Sequence, residues 1–136
     1  MRRLRPWLLA LLAGPALAAV DLDALWDFAR PDLSEQRFRA ELARAQGDDA
    51  LLLRTQIART LGLRRQFDAA LAELDAIEPQ LPSAGARPRV YAWLERGRTL
   101  RSSGRPAEAE PFFRRAFDLA DQARLETAAA DALHMV

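Results

Sequence analysis

The chain has 136 residues, 50% of them hydrophobic and 29% charged, which fits one folded domain and excludes a disordered or collagen-like chain. Its 20 basic side chains are all arginine and it has no cysteine, which excludes lysine-dependent chemistry, disulfides, thiolate nucleophiles, cysteine metal sites and a lipobox anchor. The net charge of +1 rests on arginines at the amino terminus.

There, Arg2, Arg3 and Arg5 precede an apolar run from Trp7 to Ala13, a Gly14-Pro15 break and Ala16-Leu17-Ala18. This is the three-part layout of a secretory signal, and it predicts a signal peptide over residues 1–18 with cleavage between Ala18 and Ala19. The apolar run falls short of the roughly 20 residues that a membrane-crossing helix needs, so membrane contact is expected only through this segment before cleavage. An uncleaved anchor or a buried helix is the alternative, and Arg2-Arg3 is a partial twin-arginine motif. Cleavage removes three of the 20 arginines and leaves 17 against 19 acidic residues, a net charge near −2. Those arginines alternate with Asp and Glu instead of clustering, so no nucleic-acid partner is expected.

From Leu22 onward apolar residues recur at three- and four-residue steps, and no run alternates as a strand does, which predicts an all-α chain. A short helix through Leu22, Leu25, Trp26 and Ala29 stops at Pro31. Asp32 and Glu35 then stand at capping-box spacing ahead of Phe38 and Leu42, with Gly47 ending that second helix. From Asp49 a helix carries Leu53, Ile57 and Leu61, turns over Gly62 to Gln66, and gives way to another with Ala70, Leu71, Leu74 and Ile77. Pro79, Pro82, Gly85 and Pro88 predict a loop. The next helix presents Val90, Trp93, Leu94, Gly97 and Leu100, and Gly104 ends it. Pro106 opens the following one, whose apolar stripe is Ala109, Phe112, Phe113, Ala116, Phe117 and Ala120.

The series Trp93, Gly97, Leu100, Gly104, Ala109, Phe113, Ala116 resembles the tetratricopeptide-repeat (TPR) pattern. Ile57, Ala58, Leu61, Phe67, Ala70, Leu74, Ile77 and Pro82 fit the same frame. From Ala70 to Ala109 is 39 residues against the family's period of about 34, the excess falling in the Pro/Gly-rich loop. The resemblance implies helical hairpins stacked as an α-solenoid, with small residues at Ala70, Gly97 and Ala109 and rings at Phe67, Trp93 and Phe113 filling between them. The expected units are an N-terminal helical cap or degenerate repeat over 19–48, repeat 1 over 49–84, repeat 2 over 88–121, and over 122–136 the start of a third, truncated repeat. Arg54 and Arg96 depart from the family's apolar positions, and each is expected to lay its stem along the core.

Candidate chemistry is sparse. His134 is the only histidine and has no cysteine beside it, so no metal site is expected. Ser34, Ser83, Ser102 and Ser103 lie in no nucleophile-elbow context. The acid pairs Asp48-Asp49, Glu108-Glu110 and Asp118-Asp121 offer the residue types of a glycosidase, yet their places near helix starts and on solvated faces fit structural roles. Ser102-Ser103-Gly104 follows a helix and reads as a helix stop, not a phosphate loop. No enzymatic activity and no cofactor are expected.

Stacked first helices line a groove, and the stripe facing it contains Thr55, Arg59, Leu63, Tyr91, Leu94, Arg98 and Arg101. Resemblance to peptide-binding TPR proteins implies that Thr55, Arg59, Leu94 and Arg98 hold a carboxylate or an extended peptide, for which paired guanidinium forks are suited. Solvated arginines paired with nearby Glu and Asp are the alternative. The expected function is a periplasmic or secreted scaffold of the bacterial cell envelope that binds a protein or peptide. The alternatives are the periplasmic sensor portion of a larger membrane-bound signalling protein and a carboxylate-based hydrolase.

Overall fold

The computed structural model describes residues 19–136, so the signal-peptide expectation and Ala18 lie outside the described residues; Ala19 is exposed. The order of elements is α1 (Leu22–Leu25), α2 (Pro31–Leu42), α3 (Gly47–Leu63), α4 (Phe67–Ile77), a 3₁₀ helix (Glu78–Ser83), α5 (Ala86–Ser102), α6 (Pro106–Gln122) and α7 (Glu126–Met135). Among the described residues there is no strand, and no helix is long and apolar enough to cross a membrane.

Local chemistry explains where the helices start and stop, and corrects several expected boundaries. The expected first helix is shorter, ending at Leu25 with Trp26 already extended, so Pro31 does not stop it but opens α2 at its first position, where a missing N–H costs nothing; Asp32 pairs with Arg30 and caps nothing. Gly47, with φ +59, begins α3 instead of ending α2. Pro79 and Pro82 sit inside the 3₁₀ helix, and Pro88 in the first turn of α5, so the expected loop is largely helical. Asp48 fastens this stretch, its carboxylate accepting a hydrogen bond of 3.0 Å from the Gly85 N–H.

The turns out of α3 and α5 are built alike. Gln66 N–H donates to the Leu61 carbonyl at 2.9 Å and Arg105 N–H to the Leu100 carbonyl at 2.8 Å. Each bond spans a residue of positive φ, Arg65 at 63° and Gly104 at 86°. Both are the bond that closes a helix C-terminus across a left-handed residue. Donors, acceptors and left-handed residues are each 39 apart in sequence, the interval that separates Ala70 from Ala109. A third such closure, Leu125 N–H to the Ala120 carbonyl at 2.8 Å, ends α6 across Arg124.

Consecutive helices pack on one another, and α5 also packs on α3 and α7, whereas α4 and α6 do not touch. Helix α5 is therefore surrounded, which is why it buries residues on nearly every side: Val90, Ala92, Leu94, Glu95, Gly97, Thr99 and Leu100. The core between α5, α6 and α7 gathers Leu94, Phe113, Ala116 and Ala132, and Trp93 packs half-buried against it. A second core joins α1, α2 and α3 through Leu22, Phe38, Leu53 and Ile57, with Leu61 at its edge. Ala58, Ala70 and Leu74 close the α3–α4 contact, and Phe67 is half-buried beneath the Arg65 guanidinium.

Small residues mark the closest approaches. A Cβ on Gly97 would lie 2.5 Å from a carbon of the Phe113 ring, which is why α5 and α6 meet there. Arg54 and Arg96 both lie with stems inward and heads paired, Arg54 to Glu73 at 3.1 Å and Arg96 to Asp75 at 2.8 Å, the latter over the Phe112 ring. Thr55, Thr60 and Thr99 are buried without penalty because each hydroxyl donates to a carbonyl of its own helix, at 2.6, 2.7 and 2.8 Å.

Candidate functional site

The densest polar cluster forms where α3, α5 and α7 meet the α1–α2 connection. Its centre is Glu95, wholly buried at 0% exposure in the middle of α5. Arg98, one turn on, donates from Nη1 to Glu95 Oε2 at 2.8 Å, and its Nη2 lies 3.7 Å from Asp131 of α7. From α3, Gln56 Nε2 reaches the same Oε2 at 3.4 Å, a long and weak bond, and Arg59 Nε approaches Glu95 Oε1 to 3.8 Å.

The connection before α2 completes the cluster. Ser34 Oγ accepts from the Asp27 N–H and donates to the Asp27 carbonyl, both at 2.8 Å, which fixes the turn that projects Trp26 and Phe28. Those rings stack 4.3 Å apart, nearly parallel at 8°. The Arg59 guanidinium lies 4.9 Å from the Phe28 centroid and 5.4 Å from that of Trp26, within cation–π range of both. Trp26 Nε1–H donates to Gln56 Oε1 at 2.8 Å, so one polar chain runs from the connection through α3 to α5 and on to α7.

Burial acts differently on the two arginines. It pulls the Arg59 pKa down, with only partial relief from the Glu95 carboxylate. It acts on Arg98 too, but the charge of Glu95 and its hydrogen bond outweigh it and raise that pKa. Both remain cations at any ordinary pH. The formal charges of Arg59, Arg98, Glu95 and Asp131 cancel.

The expected groove residues separate into distinct places. Arg59 and Arg98 do come together, but the carboxylate they hold is Glu95 of the chain itself. Thr55 and Leu94 are corrections: both are 0% exposed, Thr55 bonded back to its own helix α3, which packs against α2, α4 and α5, and Leu94 packed in the α5–α7 core, because α5 is covered on several sides at once. Tyr91 is half-buried, its hydroxyl pKa raised by burial, and lines a separate cavity with Arg87 and Arg124. Arg101 is exposed, over the Phe113 ring at 5.4 Å and 3.7 Å from the Met135 sulfur.

Glu95, Gln56, Trp26 and Phe28 were not singled out by sequence reasoning. Glu95 precedes Arg98 by three positions, an ion-pair spacing on a helix, and Trp26 and Phe28 flank a turn just before Pro31; these were the available signals.

A cavity of about 190 Å³ opens beside the cluster, lined by Arg59, Leu63, Glu95, Arg98 and Met135 among others. Leu63, 49% exposed, brings apolar surface to its lining, and Phe28, 54% exposed, lies on the other side of the Arg59 contact, under its guanidinium. The acid pairs occupy structural places: Asp48 holds Gly85, Glu108 pairs with Arg105 at 2.6 Å and Glu110 with Arg114 at 2.7 Å, while Asp118 and Asp121 are exposed. His134 is exposed near the end of α7, and among the described residues no group of three His, Cys, Asp or Glu side chains is placed to hold a metal. Comparison with family models, with curated proteins and with solved structures gives no match to this chain.

Proposed function

We propose that the chain is a non-enzymatic, TPR-like α-solenoid scaffold of the bacterial cell envelope that binds an extended protein segment on the surface shared by α3, α5 and α7. One observation carries this: α5 packs on both α3 and α7, the first helices of successive pairs, while α4 and α6 lie apart from each other. That arrangement places an aromatic shelf, exposed Leu63 and two arginines along one surface. The common interval of 39 residues between the closures after α3 and α5 supports a repeated unit, and the charged, apolar and small-residue stretch of residues 1–18 supports export.

Selection of a random peptide library on the folded protein tests the proposal. Binders are expected whose affinity falls at least about tenfold, a loss of about 1.4 kcal/mol, in Phe28→Ser and Leu63→Glu, since both side chains are exposed and their loss leaves the core intact. Reversing Arg98 is unsuitable, because a carboxylate there would face buried Glu95. Binders unaffected by either change, or the absence of binders, would refute the proposed surface.

A further inference from the structure

Glu95 is fully neutralised in charge and yet incompletely satisfied in hydrogen bonding. Its Oε1 and the Nε of Arg59 are both buried, 3.8 Å apart, and neither has a hydrogen-bond partner. Buried polar atoms are seldom left so. Each needs what the other cannot deliver at that distance: Arg59 Nε an acceptor, Glu95 Oε1 a donor. The cavity of about 190 Å³ that both residues line has room for one polar side chain.

Charge decides which side chain. A carboxylate would satisfy Arg59 but would add a third anion to Glu95 and Asp131 against two cations, and would leave Glu95 Oε1 facing another acceptor. A carboxamide carries acceptor and donor on one edge, its oxygen and nitrogen about 2.3 Å apart. With Arg59 shifted to open the pair, it can accept from Arg59 Nε and donate to Glu95 Oε1 along one edge, and it adds no charge. Both receiving atoms are closed to solvent, so entry requires Arg59 to swing; its guanidinium is held there by the Trp26 and Phe28 rings.

We propose that this cavity is a subsite for a neutral carboxamide, the Asn or Gln side chain of a bound protein segment, and that it discriminates against Asp and Glu. The proposal rests on the scaffold function above and replaces the carboxylate expected from the arginine pair alone.

The probes are N-acetylglutamine methylamide and N-acetylglutamate methylamide, each titrated into ¹⁵N-labelled protein while the Arg59 Nε–H and Trp26 Nε1–H resonances are followed. The glutamine probe is expected to move both saturably, and the glutamate probe to bind about tenfold more weakly or not at all. In Glu95→Gln, which leaves two cations against Asp131, the order is expected to reverse. Asp131→Asn, at a side chain 46% exposed, narrows the preference without entering the core and carries the test if Glu95→Gln fails to fold. A wild type that prefers glutamate or treats the probes alike, resonances that move with neither, an order unchanged in Glu95→Gln, or a preference not narrowed in Asp131→Asn would overturn the subsite. Library peptides that bind across Phe28 and Leu63 while the probes fail would overturn the subsite alone and leave the scaffold function standing.

Discussion

Gly97→Ala sets two opposed effects against each other with magnitudes that can be separated. In an exposed helix the change is favourable by about 1 kcal/mol, because alanine loses less backbone freedom on folding. Here the new Cβ would stand 2.5, 2.8 and 2.8 Å from three carbons of the Phe113 ring, closer than carbon atoms approach without something shifting. The ring is 1% exposed within the α5–α7 core, so it has no solvent to move into. Overpacking of this kind costs about 1–3 kcal/mol, which offsets or outweighs the helical gain and leaves a net loss of about 0–2 kcal/mol. For a chain of this size each kcal/mol lost lowers the melting temperature by about 3–6 °C. Urea unfolding followed by far-UV circular dichroism gives the measurement, the midpoint falling with an unchanged slope. Phe113→Leu supplies the control: alone it costs about 1–2 kcal/mol for the vacated space, but it makes room for the methyl group that Gly97→Ala adds, so the double variant should be more stable than the sum of the two by about 1 kcal/mol. A Gly97→Ala protein more stable than wild type, or strict additivity with Phe113→Leu, would refute close contact between α5 and α6 at this point.

Arg65 holds a left-handed φ of 63° at the place where Gly104 serves the later turn, so Arg65→Gly should raise stability by about 0.5–1 kcal/mol and Gly104→Ala should lower it by about 1 kcal/mol, both read from thermal unfolding. Ser34→Ala removes both hydrogen bonds to the Asp27 backbone; a loss of about 1–3 kcal/mol is expected, with a changed Trp26 indole resonance as the turn relaxes, and an unmoved resonance would show that Ser34 does not set the ring. Burial raises the Glu35 pKa, but hydrogen bonds from Arg64 and from Arg39, the latter at 2.6 Å, outweigh it and hold the carboxyl below its usual value. A lowered folded-state pKa stabilises above the unfolded carboxylate range and is lost as pH falls through the folded value. Glu35→Gln should therefore destabilise at neutral pH and flatten the acid limb of the stability profile, and an unchanged acid limb would rule out this ion pair as a contributor.

The all-helical character of residues 19–136 is legible from local pattern, because apolar spacing, Gly104 and Pro106 act within a few residues of chain. The sequence also placed Gly97, Ala109 and Phe113 in the core, since their pattern is periodic. It missed Gly47 and Pro31 as helix starts because both residues serve beginnings as well as endings, and it expected a loop where prolines tolerate a 3₁₀ turn. The polar centre was decided by tertiary structure alone. Helix α5, surrounded by four others, buries even positions that the repeat frame turns toward a groove, so Leu94 faces inward and Glu95 became a buried anion, while Thr55 is covered because α3 packs against α2, α4 and α5. The Arg98–Glu95 pair sits at a helical spacing that the sequence carries, but whether Arg59 meets a partner or that same carboxylate depends on α3 lying alongside α5, and a contact across 36 residues leaves no periodic trace.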